Sequence, residues 1–189
     1  MQIIRWRDYD LKPWKNGRGT TREIASQSVQ GTLAWRLSLA MVESDGPFSN
    51  FYGLERILTV VRGDGMRLLG VERDYEAQPF VPVRFPGGEK ITGLCRSTPV
   101  ENFNLIFDPD LITAEVRILD ASEISRIAGP SGGTTIVHVL DGQIMCDDAA
   151  ALEAQDTGVC ERFIPGLRPV GGGRCAVVTL AHSQPSYGV

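Results

Sequence analysis

The chain has 189 residues, of which 42% are hydrophobic and 22% charged, and its formal net charge is −4 at pH 7. This composition is too apolar for a disordered chain, and the length suits one compact unit or two small fused halves. Residues 1–108 hold 14 basic and 13 acidic side chains and residues 109–189 hold 5 and 10. Neither half has the basic excess of a nucleic-acid-binding domain, so we expect no DNA or RNA partner.

The N-terminal residues 1–7 place charges inside a short apolar stretch, which is not the pattern of a signal peptide. No apolar run approaches the length that spans a membrane. The cysteines are widely spaced, form no C-x-x-C pair and are interpreted as reduced thiols: Cys95, Cys146, Cys160 and Cys175. A cytoplasmic protein without a membrane partner is expected.

Short apolar runs rich in β-branched residues follow one another along the chain and are separated by Gly and Pro, which predicts strands. The predicted strands cover residues 3–6, 20–25, 34–41, 57–62, 66–69, 103–107, 114–119, 134–140, 143–146 and 175–180. Helical periodicity is weak and suggests one segment, residues 149–155. Many short strands with tight turns favour an all-β sandwich or barrel, of which the jelly roll is the commonest closed form.

Two segments, residues 59–68 and 136–145, look alike. In each, a β-branched strand runs into a glycine turn, at Gly63 or Gly142, and then into a second apolar strand. Glycine in a two-residue hairpin turn allows a positive φ, so both segments are predicted to be β-hairpins. The likeness suggests that one β unit is duplicated, although such hairpins also occur in unrelated β proteins.

The first candidate site is the segment 13–24, in which Gly17 and Gly19 flank Arg18. A glycine loop exposes backbone N–H groups, and Lys and Arg donate charge-assisted hydrogen bonds to a carboxylate or phosphate. The segment does not match the phosphate loop G-x-x-x-x-G-K-[ST], because its lysine precedes the glycines. The alternative is a polar turn before an edge strand. The candidate residues here are Trp14, Lys15, Asn16, Arg22 and Glu23.

Further candidates lie on predicted strands. Alternation over residues 35–41 places Arg36, Ser38 and Ala40 on one face, which points either to solvent or to the interior of an open barrel. The turn 44–51 carries Phe48 and Phe51, which cap the core or wall a pocket. Arg56 immediately precedes the apolar run 57–61, so its guanidinium belongs either to a pocket or to the surface. Two amides, Asn102 and Asn104, share one strand face.

The two histidines, His138 and His182, are far apart, and residues 1–108 contain none. A catalytic zinc or iron site would have to combine them with dispersed Cys or carboxylate ligands, so we expect no metal and no cofactor. His138 is interpreted as a packed strand residue and His182 as a tail residue. There is no G-x-S-x-G elbow and no local signature of a catalytic thiol.

Taken in order, several of these motifs resemble the HutD/Ves family. They lie at residues 13–24, 35–38, 45–49, 56 and 63–68 and are spread over most of the first 107 residues. The resemblance implies a bicupin, with two RmlC-like jelly-roll halves in one chain that commonly assembles as a homodimer. Residues 1–108 would form the half with the ligand pocket, and residues 109–189 a half that serves structure or an interface.

The resemblance also implies a pocket for a small anionic metabolite and a regulatory role in histidine utilisation, with formylglutamate as the type of ligand. Binding without catalysis is favoured. One alternative is a metal-independent isomerase or hydrolase that uses a buried carboxylate such as Glu23, and another is a stress-related interaction protein, as implied by Ves-like relatives. The implied ligand-binding residues are Trp14, Lys15, Asn16, Arg22, Glu23, Arg36, Ser38, Phe48, Ser49, Arg56 and Asn104.

The chain departs from the family pattern at three positions. Arg18 stands where glycine is usual, Gly88 replaces the usual Asp after Gly87, and Asn102 replaces the common Asp before Phe103. Each departure changes the charge in the positive direction. If these positions line the pocket, this chain should favour an anion at least as strongly as its relatives; if an Asp is a catalytic base there, activity should be impaired.

Overall fold

The computed structural model describes residues 1–14, 16–126, 132–146, 150–161 and 166–183. Strands dominate, and two short 3-10 helices span Trp6–Asp8 and Ala121–Arg126. The described part of the chain contains no helix that is long and apolar enough to cross a membrane. The predicted all-β fold is confirmed.

Sixteen strands are described. In chain order they are β1 Gln2–Ile4, β2 Asp10–Pro13, β3 Gly19–Val29, β4 Thr32–Val42, β5 Gly46–Pro47, β6 Glu55–Arg62, β7 Met66–Leu69, β8 Asp74–Ala77, β9 Val83–Pro86, β10 Thr92–Cys95, β11 Val100–Phe107, β12 Ile112–Asp120, β13 Thr134–Met145, β14 Ala151–Leu152, β15 Thr157–Cys160 and β16 Arg168–His182.

The chain divides into two compact units. The N-terminal unit is Asp8–Asp108, and the C-terminal unit consists of Met1–Arg7 together with Pro109–Val189. The sequence predicts halves of residues 1–108 and 109–189, whereas residues 1–7 are not part of the N-terminal unit here. These residues join the C-terminal unit because β1 pairs antiparallel with β15.

The N-terminal unit contains two antiparallel sheets, ordered β2-β3-β4-β11-β6-β9 and β5-β10-β7-β8. Leu58 and Val60 on β6 share one apolar cluster with Met66 and Leu68 on β7, so side chains of both sheets meet in a common core. All four side chains are fully buried. Removing a side chain of this size from water stabilises the fold by roughly 1.5–3 kcal/mol.

The central strand of the larger sheet is β11, which pairs with β4 on one side and β6 on the other. All eight of its residues are buried. Because successive side chains of a strand point to opposite faces, Phe103 and Leu105 lie on one face while Asn102 and Asn104 lie on the other. Two amides are thereby held on the face that lines the cavity described below.

The C-terminal unit contains a sheet ordered β1-β15-β13-β16-β12, with β14 paired to β13. Asp156 attaches the N-terminal segment to this sheet. Its carboxylate accepts hydrogen bonds from the Arg5 guanidinium at 2.6 Å and from the Trp6 N–H at 3.0 Å. Val137, Val139 and Val177 belong to the core cluster of this unit.

The predicted hairpins at Gly63 and Gly142 are wrong. Strands β6 and β7, which flank Gly63, belong to different sheets, so this turn carries the chain from one sheet to the other. At Gly142 the strand β13 continues through an irregularity in its pairing with β16. Gly142 has φ of +82°, so the glycine is needed there, but at a kink inside a strand and not in a hairpin turn.

Other local predictions also differ from the structure. The predicted helix 149–155 is not observed from residue 150 onward, where Ala151–Leu152 forms β14 and pairs with β13; residue 149 lies outside the described residues. His182 ends β16 opposite Ile112, so it is a strand residue and not part of a tail.

Candidate functional site

A cavity of about 620 Å³ lies within the N-terminal unit. Its floor is one face of the large sheet, to which β3, β4, β11 and β6 contribute side chains. Its walls include residues 12–14 and 16, at and after the end of β2, and residues 47–49 and 51, at and after the end of β5. A cavity of this volume is large enough for a small metabolite.

The pairing register determines which side chains meet on the floor. Ile106 of β11 pairs with Arg36 of β4 on one side and with Arg56 of β6 on the other. Two residues along β11, Asn104 pairs with Ser38 of β4, and Ser38 pairs in turn with Glu23 of β3. Polar side chains from four neighbouring strands therefore share one face.

Arg56 is the most deeply buried charged group of the cavity, with a relative exposure of 6%. Its guanidinium donates to the Asn104 Oδ1 atom at 3.2 Å and to the Ser49 carbonyl at 3.4 Å. The rings of Phe48, Phe51 and Phe85 lie 5.1–5.5 Å from it. Burial, and then the positive charge of Arg36, lower the pKa of Arg56 to about 10, so the side chain stays protonated at neutral pH.

Arg36 is half-buried, and its guanidinium lies 5.1 Å from the centre of the Phe51 ring. The same ring lies 5.5 Å from Arg56, so one phenyl group contacts both cations. Among the residues that the structure describes, neither guanidinium forms an ion pair, and the buried Nε atoms of both lack a hydrogen-bond partner. The two cations face the cavity with donor capacity unused.

A carboxylate lies on the β3 side of the floor, close to the cation Lys12. Glu23 is the carboxylate among the described lining residues, and its Oε1 atom accepts a hydrogen bond from the Ser26 hydroxyl at 2.9 Å. Nearby, the Trp14 indole donates to the Thr21 hydroxyl at 2.8 Å, which holds the ring against the β2–β3 turn. The cavity thus has two arginines on β4 and β6 and a carboxylate on β3.

Asn102 lines the cavity one pleat beyond Asn104 and is almost completely buried. Its Nδ2 atom lies 3.5 Å from the Met66 sulfur, while its Oδ1 atom has no hydrogen-bond partner in the described part of the chain. A thioether accepts but cannot donate, so the amide nitrogen faces the sulfur. At this position the cavity lining carries a neutral amide.

Nine of the eleven residues predicted for the pocket line the cavity: Trp14, Asn16, Glu23, Arg36, Ser38, Phe48, Ser49, Arg56 and Asn104. Lys15 lies outside the described residues. Arg22 does not line the cavity, because it pairs with Leu39 on β4 and alternates with Thr21 and Glu23, which face inward. Arg22 is thus not among the lining residues, and its predicted role in ligand binding stays a prediction.

Sequence reasoning left nine lining residues out of the predicted site: Lys12, Pro13, Thr21, Ala40, Val42, Pro47, Phe51, Asn102 and Ile106. Strand alternation alone could have found several of them. Ala40 and Val42 share the face of Ser38, and Ile106 shares the face of Asn104. Alternation does not identify Lys12 and Pro47, because both belong to short edge strands, β2 and β5.

The other two departures from the family pattern lie outside the lining. Arg18 donates a hydrogen bond to the Asp45 carbonyl at 2.7 Å and thereby joins the loop before β3 to the segment before β5. Gly88 lies against the ring of Tyr52. Only Asn102 of the three departures therefore changes the charge of the cavity surface.

Within the described ranges, no group of three His, Cys, Asp or Glu residues is arranged to hold a metal ion. His138 is a fully buried residue of β13, and its Nδ1 atom lies 2.9 Å from the Thr157 hydroxyl. Burial lowers the pKa of His138 to about 3. The interpretation of His138 as a packed strand residue is confirmed.

Comparison with known proteins gives one family match and several structural matches. The HutD family model matches residues 6–173. An uncharacterised 21.2 kDa protein encoded in the hutC 3′ region of Pseudomonas putida is 38% identical over 125 residues. That alignment covers 65% of this chain and 66% of the relative, slightly less than two thirds of its length.

Solved structures agree with this match. HutD from Pseudomonas fluorescens SBW25, solved in a formate condition, is 27% identical with a TM-score of 0.78, and the match covers 97% of this chain and 99% of that one. A conserved protein of unknown function from Pseudomonas aeruginosa PAO1 is 28% identical with a TM-score of 0.80, covering 95% and 97%.

A cupin 2 conserved barrel protein from Leptotrichia buccalis, at 10% identity and a TM-score of 0.58 over 95% and 96% of the two chains, shows the fold alone. The predicted cupin-type β architecture is therefore confirmed. Because the family model spans nearly the whole chain, from the 3-10 helix at Trp6 into β16, this protein belongs to the HutD family.

Proposed function

We propose that this protein binds a small carboxylate in the cavity of its N-terminal unit and acts in the regulation of histidine utilisation, with a formylglutamate-like molecule as the ligand. The observation that carries the proposal is the pair Arg36 and Arg56, two cations on the cavity floor that form no ion pair within the described part of the chain.

The energetics of the two arginines favour an anionic ligand. A buried charge without a counter-charge is costly, and here the buried Arg56 and the half-buried Arg36 contact one phenyl ring. A carboxylate between them would neutralise part of this charge and would use free N–H groups of both guanidiniums. Hydrogen bonds of this charge-assisted kind contribute on the order of 1.5–3 kcal/mol each.

The family match supports the biological part of the proposal. HutD-family proteins are associated with histidine utilisation, and the Pseudomonas putida relative is encoded in the hutC 3′ region. Formylglutamate combines carboxylates with a formamide N–H, and the floor carries arginines for the first and a carboxylate for the second. In this proposal the protein is cytoplasmic, requires no metal and leaves its ligand chemically unchanged.

A ligand screen tests the proposal. Thermal unfolding is measured with N-formyl-L-glutamate, urocanate and L-glutamate at millimolar concentration, with acetamide as a neutral control. A ligand present at 100 times its dissociation constant adds about 2.7 kcal/mol of stability, which raises the melting temperature by several degrees. No shift with any of the three anions would refute the histidine-pathway proposal.

The same samples distinguish binding from catalysis. Proton NMR of each ligand, incubated with protein for several hours, should show unchanged ligand signals. New signals that require Glu23 would instead establish the rival function, an isomerase or hydrolase that uses this carboxylate as an acid–base group. The variant Glu23→Gln separates the two outcomes, since it would abolish turnover.

A further inference from the structure

The polar groups of the cavity floor follow one line across the sheet. Glu23, Ser38 and Asn104 are direct neighbours on β3, β4 and β11, and the Arg56 guanidinium reaches Asn104 at the far end of this line. One end of the line is a carboxylate and the other is a guanidinium. A site for a plain anion has no use for the carboxylate, because like charges repel.

Glu23 has acceptor capacity that its neighbours leave unused. Its Oε2 atom lies 3.5 Å from the Lys12 Nζ atom, at the outer limit of a hydrogen bond, whereas Lys12 lies 2.9 Å from the Asp10 carboxylate. Its Oε1 atom accepts one bond, from Ser26. An ionised carboxylate has about four acceptor sites, so at least two remain for a donor inside the cavity.

The separation of the two ends suits a single small molecule. Neighbouring strands lie about 4.8 Å apart, so the β3 and β11 backbones are about 10 Å apart across β4. Glu23 lines the cavity from β3, and the Arg56 guanidinium reaches β11 from β6 at Asn104, so this gap lies between the two ends. When the carboxylate of a ligand binds the arginines, a second group that is four to six bonds from this carboxylate can therefore lie next to Glu23.

We propose that Glu23 determines specificity by accepting a hydrogen bond from an N–H or O–H group of the ligand. The cavity then selects molecules that carry a carboxylate at one end and a donor at the other, and it discriminates against carboxylates that lack the donor. This inference rests on the proposed function, because it requires the anion to be bound by Arg36 and Arg56.

A pair of isosteric ligands tests the role of Glu23. N-formyl-L-glutamate carries an N–H, and 2-formyloxyglutarate has an ester oxygen in its place. By isothermal titration calorimetry, the wild-type protein should bind the first at least 10-fold more tightly than the second. In Glu23→Ala the two dissociation constants should become equal, mainly through weaker binding of the N–H ligand. Glu23→Gln, which keeps a neutral acceptor oxygen, should retain a preference of about threefold.

Glu43→Gln is the matched control, since Glu43 is an exposed carboxylate outside the cavity lining and its variant should keep the wild-type ratio. Equal affinities of the wild type for both ligands would overturn the inference and leave the proposed function intact. If neither ligand binds, both the inference and the proposed function are overturned. If Glu23→Ala unfolds, the ratio of the two dissociation constants is measured on Glu23→Gln alone. A 10-fold ratio unchanged from the wild type would then overturn the inference.

Discussion

Replacing Arg56 by methionine should abolish most anion binding while changing the stability of the unliganded protein little. The substitution removes a guanidinium that is 6% exposed and lies beside the cation Arg36, which relieves a desolvation and repulsion cost. It also leaves the Asn104 Oδ1 atom without its donor, which costs about 1–3 kcal/mol. Because these effects oppose each other, we expect a net change in unfolding free energy of less than about 2 kcal/mol.

Ligand binding has no such compensation. Loss of the charge-assisted contact between Arg56 and the ligand, worth about 1.5–3 kcal/mol, raises the dissociation constant roughly 10- to 150-fold. Calorimetric titration of N-formyl-L-glutamate into Arg56→Met measures this change, and urea unfolding measures stability. The matched control is Arg22→Met, which removes a half-buried arginine from the opposite face of β3. Equal dissociation constants for Arg56→Met and the wild type, or equal losses in both variants, would refute the assignment of the anion to Arg56.

Three further predictions concern stability. Burial raises the pKa of Glu101, so the folded protein holds this proton to higher pH than the unfolded chain and loses stability as pH rises above about 4.3. In urea unfolding, Glu101→Gln should therefore reduce the dependence of the unfolding free energy on pH. An unchanged pH dependence would contradict the assignment to Glu101. His138 has a folded pKa of about 3 against an ordinary value of 6.5. The stability that the neutral imidazole contributes is therefore complete above pH 6.5 and is lost toward pH 3, by up to about 1.4 kcal/mol per pH unit. His138→Gln should remove this pH dependence of the unfolding free energy, measured between pH 4 and 7. A Cβ at Gly19 would collide with the Met41 carbonyl, so Gly19→Ala should lower the stability measured by thermal unfolding by about 1–3 kcal/mol. Gly172→Ala is the control and should be nearly neutral, because Gly172 has open space around it. Equal losses of stability would show that the collision is not the cause.

The long strands and much of the cavity floor could be predicted from local sequence patterns. Alternation of apolar and polar residues in β4 separates Arg36 and Ser38 from Leu37 and Leu39, and the structure keeps that separation. The same period also explains the misplacement of Arg22. Its motif neighbours Thr21 and Glu23 face the cavity, but a strand sends alternate residues to opposite sides, so proximity within a motif does not imply a shared site.

The remaining features depend on contacts that no local pattern specifies. Whether Arg36 faced solvent or an interior was undecided from sequence, because either environment is compatible with one arginine on a strand. The answer depends on Phe48 and Phe51, which enter from a loop. Likewise, the sequence around Gly142 predicts a hairpin turn, but glycine permits the same positive φ in a turn and in a kinked strand. Pairing with a distant segment, residues 168–182, distinguishes the two.

The pairing of β1 with β15 means that the complete C-terminal unit cannot be obtained by dividing the chain after residue 108. A fragment of residues 109–189 would lack the strand that covers β15 and would leave the Asp156 carboxylate without Arg5 and the Trp6 N–H. Its newly exposed edge would be a template for intermolecular pairing and aggregation. A soluble C-terminal fragment therefore calls for residues 1–7 to be fused ahead of residue 109 through a flexible linker.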